Sequence, residues 1–229
     1  MVGREGFAAS VAKPDWLRRQ VERSCARRNL TEWHGRLSEW LLERLSHPLP
    51  LGDGREVALT ALRGYQVEME FSFHVHKARL KQIDELVCAQ LLPGLARQPL
   101  AEETLNGLFK GFIDLAFEHE GRYYVADYKS NWLGVDEAAY EATALNQALM
   151  RHRYDLQGLF YLVALHRQLR VRLPHYDYEQ HMGGVLFVFL RGSAATGQGV
   201  WAHRPSRAFV EALDALLSGS RPSSQEFSA

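Results

Sequence analysis

Asp114, Asp127 and Lys129 are the residues of this sequence best suited to chemistry. They stand in GFIDLAF and YYVADYK, runs otherwise built from apolar and aromatic residues, on either side of the stretch EHEGR. A carboxylate in such surroundings costs several kcal/mol, roughly, unless a cation or hydrogen bonds compensate it. If Glu120-Gly121 is a two-residue hairpin loop, with Gly121 at positive φ, His119 faces Arg122 and the register of the whole hairpin follows. Counting back, Asp114 falls opposite Asp127. Phe112, Asp114 and Ala116 then share a face with Lys129, Asp127 and Val125, while Ile113, Leu115 and Phe117 share the other with Tyr128, Ala126 and Tyr124. Opposed Cβ atoms lie about 4.5–5.5 Å apart, so the two carboxylates repel unless one is protonated or a cation lies between them. A hard divalent ion such as Mg²⁺ suits such an oxygen cluster, and Lys129 would reach the same spot to orient water or neutralise developing phosphate charge. An Asp-x-Lys triplet alone more often marks a solvated strand face; Asp114 at the matching cross-strand position is what raises the metal reading.

The elements that must position these groups can be read from periodicity. Trp16, Leu17, Val21, Leu30, Trp33, Leu37, Trp40, Leu41 and Leu45 suit two amphipathic helices over 14–45, broken near 29–31. HPLPLGDGRE, 47–56, reads as a loop. VEMEFSFHV, 67–75, alternates as a half-exposed strand, and 81–92 fits either a short helix or an insertion. Two strands flank EHEGR, helical periodicity over 136–170 suggests two helices, and the apolar run GGVLFVFLRG, 183–192, suggests a buried strand. A last helix fits 205–217, starting at Pro205 and ending before Gly219, and the tail SRPSSQEFSA reads as disordered. Strands mixed with covering helices indicate an α/β sandwich of modest size. The expected organisation is an N-terminal helical segment over 1–60 packing on a core over 61–219, with a tail over 220–229.

Composition narrows the field. The 229 residues include 27 Lys plus Arg and 27 Asp plus Glu, a formal charge of zero, so affinity for nucleic acid must come from a local basic surface. Cys25 and Cys88 are the two cysteines, with no CxxC, which argues against a disulfide framework, a zinc site or an iron-sulfur cluster and fits a reducing cytoplasm. No secretory h-region and no apolar run of about 18 residues occurs, so neither an export signal nor a membrane span is expected. No GxxxxGK[ST] is present, so an ATP-driven motor is not expected in this chain.

GFIDL followed by DYKSNWLG, then YDLQGLFYLVALHR and YDYEQHMGGVLFVFLRG, resembles the RecB-type nuclease domain, the C-terminal domain of exodeoxyribonuclease V beta subunits, within the PD-(D/E)xK nuclease superfamily. The likeness is strong from about 65 to 191 and weak in the first sixty residues. It implies a restriction-endonuclease-like mixed central sheet flanked by helices, with an N-terminal helical cap. It also implies that Asp114 and Asp127 bind Mg²⁺, that the Tyr128 backbone carbonyl coordinates it too, and that Lys129 assists attack of water on the phosphodiester. Mn²⁺ would serve as well, and Ca²⁺ would bind without supporting cleavage. Gln157 and Tyr161 match the family's QxxxY motif; their i, i+4 spacing puts both on one helical face, to contact the DNA backbone or support Lys129, although Tyr161 within LFYLVAL also fits a plain core position. The family supplies a further histidine ligand from a GTxxHxxxE-type helix. No such string precedes Phe7, so the sequence is expected to begin just after it and to bind metal weakly. His74 and His76 lie where the family has no ligand, and Glu68 and Glu70 fit an amphipathic edge as well as a substitute.

Arg151 and Arg153, beside the QxxxY helix, are the chosen DNA contacts, from a basic group that includes Arg167, Arg170 and Arg172; Arg18, Arg19, Arg23, Arg27 and Arg28 form a second group. The expected activity is Mg²⁺-dependent exo- or endonucleolytic hydrolysis of DNA in a helicase-nuclease acting in double-strand break repair and recombination. Its expected partners are single-stranded and duplex DNA ends with RecC-like and RecD-like subunits. The competing expectation is a docking module for partner subunits or RecA, with little activity of its own. Iron-sulfur relatives need four cysteines, which the sequence does not contain.

Overall fold

The computed structural model describes residues 2–192 and 199–220. The chain opens with short helices α1 (Val2–Glu5) and α2 (Phe7–Ala12), then α3 (Pro14–Ala26) and α4 (His34–Ser46). Pro14 at the first turn of α3 suits a position whose N–H has no helical partner, and Leu17, Val21 and Cys25 recur every fourth residue to give its buried stripe. The predicted break between the helices is present, with Asn29 at φ 56°. The stretch expected to be a loop instead carries a small antiparallel pair, β1 (Pro48–Pro50) with β2 (Glu56–Ala58).

Next come β3 (Gly64–Arg79), α5 (Leu80–Gln90), β4 (Thr104–His119) and β5 (Arg122–Lys129). Then follow α6 (Ala142–His152), α7 (Tyr154–Arg172), α8 (Tyr178–His181), β6 (Met182–Phe189), β7 (Val200–His203) and α9 (Arg207–Leu217). The open choice at 81–92 resolves as helix. Helix α9 begins two residues later than Pro205, because Ser206 caps it by accepting from the Phe209 N–H at 3.2 Å. Strand β7 had no counterpart in the periodicity reading, and residues 221–229 of the expected disordered tail lie outside the described residues.

The main sheet has order β3-β4-β5-β6-β7, and β5 pairs parallel with β6 while the other pairs are antiparallel. This is a mixed α/β fold of the restriction-endonuclease-like kind. One face carries the larger apolar core, formed with α5, α6, α7 and α9; the other packs against the first sixty residues through Leu17, Val21, Leu45, Leu115, Phe117, Tyr124, Ala126 and Leu186. Burying both faces explains why β5 and β6 read as near-continuous apolar runs.

The β4–β5 hairpin turns as expected: Glu120 and Gly121 have φ 49° and 77°, and His119 pairs with Arg122. The register holds to Leu115 opposite Ala126 and ends there, one pair short of Asp114 opposite Asp127. The expected face assignment also fails at this point. Val67 and Leu115 pack toward the N-terminal helices, whereas Met69 and Ile113, their ladder neighbours two residues away, pack in the opposite core. Both strands roll over at Glu68 and Asp114. Glu68 adopts φ 50°, outside the extended range of a regular strand, which interrupts the alternation.

Candidate active site

The end of the β4–β5 ladder is where the acidic groups gather. Ladder bonds in an antiparallel pair recur at alternate residues, so after Leu115 and Ala126 the next bonded pair would be Ile113 and Tyr128. Instead the Tyr128 N–H donates to Asp114 Oδ2 at 2.9 Å. The carboxylate occupies the place of a strand carbonyl, in a gap between two diverging strands. The Tyr128 carbonyl faces the same gap, since N–H and C=O of one strand residue point to the same neighbour. A cavity of about 470 Å³ between the N-terminal helices and the sheet reaches the gap, lined by Glu68, Asp114, Tyr128 and Arg44 among apolar groups.

Asp127 and Lys129 point toward α7 and are buried, 5% and 8% exposed. Lys129 Nζ contacts Asp127 Oδ2 at 2.5 Å, donates to Gln157 Oε1 at 2.6 Å and lies 3.8 Å from the centre of the Tyr154 ring. Gln157 Nε2 donates to Asp127 Oδ1 at 3.2 Å and to the Tyr161 hydroxyl at 2.7 Å, and that hydroxyl donates to Asp127 Oδ1 at 3.3 Å. One glutamine thus holds the ammonium with its oxygen and the carboxylate with its nitrogen. Burial raises the Asp127 carboxyl above the usual range against the pull of Lys129, and the negative charge of Asp114 adds to the rise. Burial, then the charge of Asp127, pushes the Tyr161 hydroxyl up to about 12.

The structure brings Asp127, Lys129, Gln157 and Tyr161 into one hydrogen-bonded group with Asp114 close enough to act on it electrostatically. Gln157 and Tyr161 face this group rather than solvent. Arg151 is exposed in the last turn of α6. Arg153 is committed elsewhere: it takes a left-handed conformation between α6 and α7, donates to Asp84 and Asp155 and to the Gln98 carbonyl, and braces the interior. Glu70, His74 and His76 are exposed on β3, and Glu68 lines the cavity. Tyr154 was not singled out from sequence, although 154, 157 and 161 follow the i, i+3, i+7 stripe that puts all three on one side of a helix.

The donors available to a metal are the Asp114 and Asp127 carboxylates and the Tyr128 carbonyl. Oxygen donors alone fit a small hard divalent cation, which accepts one or two carboxylates and keeps water elsewhere. Among the described residues no group of three or more His, Cys, Asp or Glu side chains is placed to hold an ion.

Residues 8–219 match the PD-(D/E)XK nuclease superfamily, whose members generally depend on a divalent metal. The RecBCD enzyme subunit RecB of Escherichia coli K12 is 41% identical over 210 residues, covering 90% of this chain and 17% of the relative. The RecB subunit of Haemophilus influenzae is 38% identical over 185 residues, 79% of this chain and 15% of the relative. That of Mycobacterium tuberculosis H37Rv is 33% identical over 250 residues, 93% and 23% respectively. The chain spans less than a quarter of the length of these relatives. Its Asp and Asp-x-Lys motifs on a splayed hairpin, its mixed sheet and this match together show that the chain belongs to the PD-(D/E)XK nuclease superfamily, as a nuclease domain homologous to RecB.

Proposed function

We propose that the chain hydrolyses DNA phosphodiester bonds with Mg²⁺, as the nuclease part of a RecBCD-type helicase-nuclease that processes broken ends in repair and recombination. Asp114, Asp127 and the Tyr128 carbonyl would hold the ion, and Mn²⁺ would replace it. Once bound, the ion would supply positive charge at the phosphoryl group and acidify a water. Lys129 keeps its ammonium at the edge of the acidic gap, where it meets charge developing on phosphate oxygens. Gln157 fixes Lys129 and Asp127 relative to each other, Tyr161 holds Asp127, and Tyr154 supports the ammonium through its ring face. Arg151 contacts a DNA phosphate; Arg153 is a structural brace. RecC-like and RecD-like subunits are the partners suggested by relatives that are subunits of RecBCD enzymes.

The reading rests above all on the Gln157 bridge, which holds an amine and a carboxylate together at the mouth of a gap that contains a second carboxylate. The test is Mg²⁺-dependent cleavage of single-stranded DNA by Lys129→Ala and Asp127→Ala, each expected to lower kcat at least ~100-fold, the first by loss of the cation facing developing charge and the second by loss of a carboxylate that would hold the ion. Cleavage at the wild-type rate would reject these roles. A divalent ion should raise the Tm of the wild-type chain and leave that of Asp114→Asn/Asp127→Asn unmoved.

A further inference from the structure

Two large aromatic side chains stand in solvent on the chain segments that continue β4 and β5 beyond the end of their ladder. Phe112, 60% exposed, is on β4 two residues before Asp114; Trp132, 64% exposed, follows β5 three residues after Lys129. Two strand residues span about 7 Å, so Phe112 lies within one nucleotide's reach of a phosphate at Asp114. Trp132 is not a loose loop tip. Asn131 before it accepts from the Tyr154 hydroxyl at 3.1 Å, and the Leu133 N–H after it donates to the Tyr140 hydroxyl at 3.2 Å. Arg191 also donates to the Ser130 carbonyl at 3.0 Å. The backbone is anchored on both sides of an indole left in water.

Phe112 belongs to an open face of the β3–β4 ribbon. Leu108, Lys110 and Phe112 alternate along β4, opposite exposed His74, Ser72 and Glu70 of β3, while Phe71, Phe73 and Val75 of the other face enter the core. Glu70 beside Phe112 repels a phosphate and tolerates a neutral base; Lys110, next along the strand, attracts a phosphate. A cation followed by an aromatic platform, leading toward Asp114, matches the alternating phosphate and base of an unpaired strand.

We infer that Phe112 and Trp132 stack on the bases flanking the attacked phosphate, with Lys110 neutralising a neighbouring phosphate on the Phe112 side. The inference rests on the nuclease reading above and adds three binding residues to it, two rings and one cation. In a paired duplex the bases stack on one another and offer no free face to these rings, so the contact selects unpaired DNA.

The test uses Phe112→Ala and Trp132→Ala with a short single-stranded oligonucleotide, the ring-retaining Phe112→Tyr and Trp132→Phe, and an oligonucleotide abasic beside the cleaved bond. Each alanine variant should raise KM about 10-fold with kcat little changed, the scale of one lost base stack. The ring-retaining variants should stay near wild type, and the abasic substrate should lower wild-type affinity without penalising the alanine variants further. Unchanged KM, equal losses in alanine and ring-retaining variants, or indifference to the abasic site would overturn the inference. So would loss of binding to another polypeptide with DNA binding intact. Anisotropy with Asp127→Ala protein repeats the comparison without cleavage, so a failed nuclease assignment and a failed stacking assignment give different results.

Discussion

Replacing Asp155 by Ala should be among the most destabilising single changes in this protein. Asp155, 1% exposed, opens α7 and accepts from Arg97 Nη1 at 2.9 Å and from Arg153 Nε at 3.2 Å; Arg153 Nη2 reaches Asp84 at 2.6 Å. The Arg97 side chain is only 4% exposed, and its Nε has no partner among the described residues. Its guanidinium also donates to the Leu91 and Leu92 carbonyls, which tie the segment after α5 to the start of α7. Without Asp155, Arg97 keeps a charge in a site closed to water, and removing one partner of a buried pair costs about 3–5 kcal/mol. For a chain of this size each kcal/mol moves Tm by about 2–4 °C, which gives a fall of about 6–20 °C. Urea denaturation with a wild-type m value would measure the cost, and Arg97→Met/Asp155→Leu should recover most of it by removing both charges together. A cost below about 1 kcal/mol for Asp155→Ala would refute the reasoning, because it would mean that Arg97 finds solvent when its partner is gone.

Burial holds His166 below its ordinary pKa, so the unfolded chain takes up this proton more readily; its stability contribution is present above about pH 6.5 and is lost as pH falls below it. His166→Leu should flatten that part of the profile, read as the difference in urea midpoint between pH 7.5 and pH 5. Gly158 lies where α7 meets β6: a Cβ there would stand 3.0 Å from the Phe187 ring and 3.2 Å from Val185 Cγ2. Gly158→Ala should therefore cost about 1–3 kcal/mol in thermal denaturation by forcing helix and strand apart.

The hairpin was legible because a short turn dictates register over many residues: EHEGR led to His119 opposite Arg122 and, by counting, to the neighbourhood of Asp114 and Asp127. The count failed only at its last step. Nothing in VEMEF announces the left-handed Glu68, and strict alternation has no way to express two strands rolling over together. Gln157 was legible as the helical neighbour of Tyr161 and, through the family resemblance, as a support for Lys129 or a DNA contact; its simultaneous hold on Asp127 joins residues far apart in the chain. Arg153 misled for the same reason. In RHRYD it reads as a cation available to DNA, and the Asp84 that it bonds lies on another helix. The exposed Phe112 could not be told from core residues of its strand, because exposure depends on which helices cover each face.

Strand β5 takes its antiparallel neighbour from the chain just before it and its parallel neighbour from across residues 130–181, a crossover that contains α6 and α7. A nascent chain that has released only the hairpin from the ribosome would carry the acidic motif with one edge open and no Gln157 beside Lys129. Under the function proposed above, cutting waits until residues 130–189 have emerged and docked beside the hairpin.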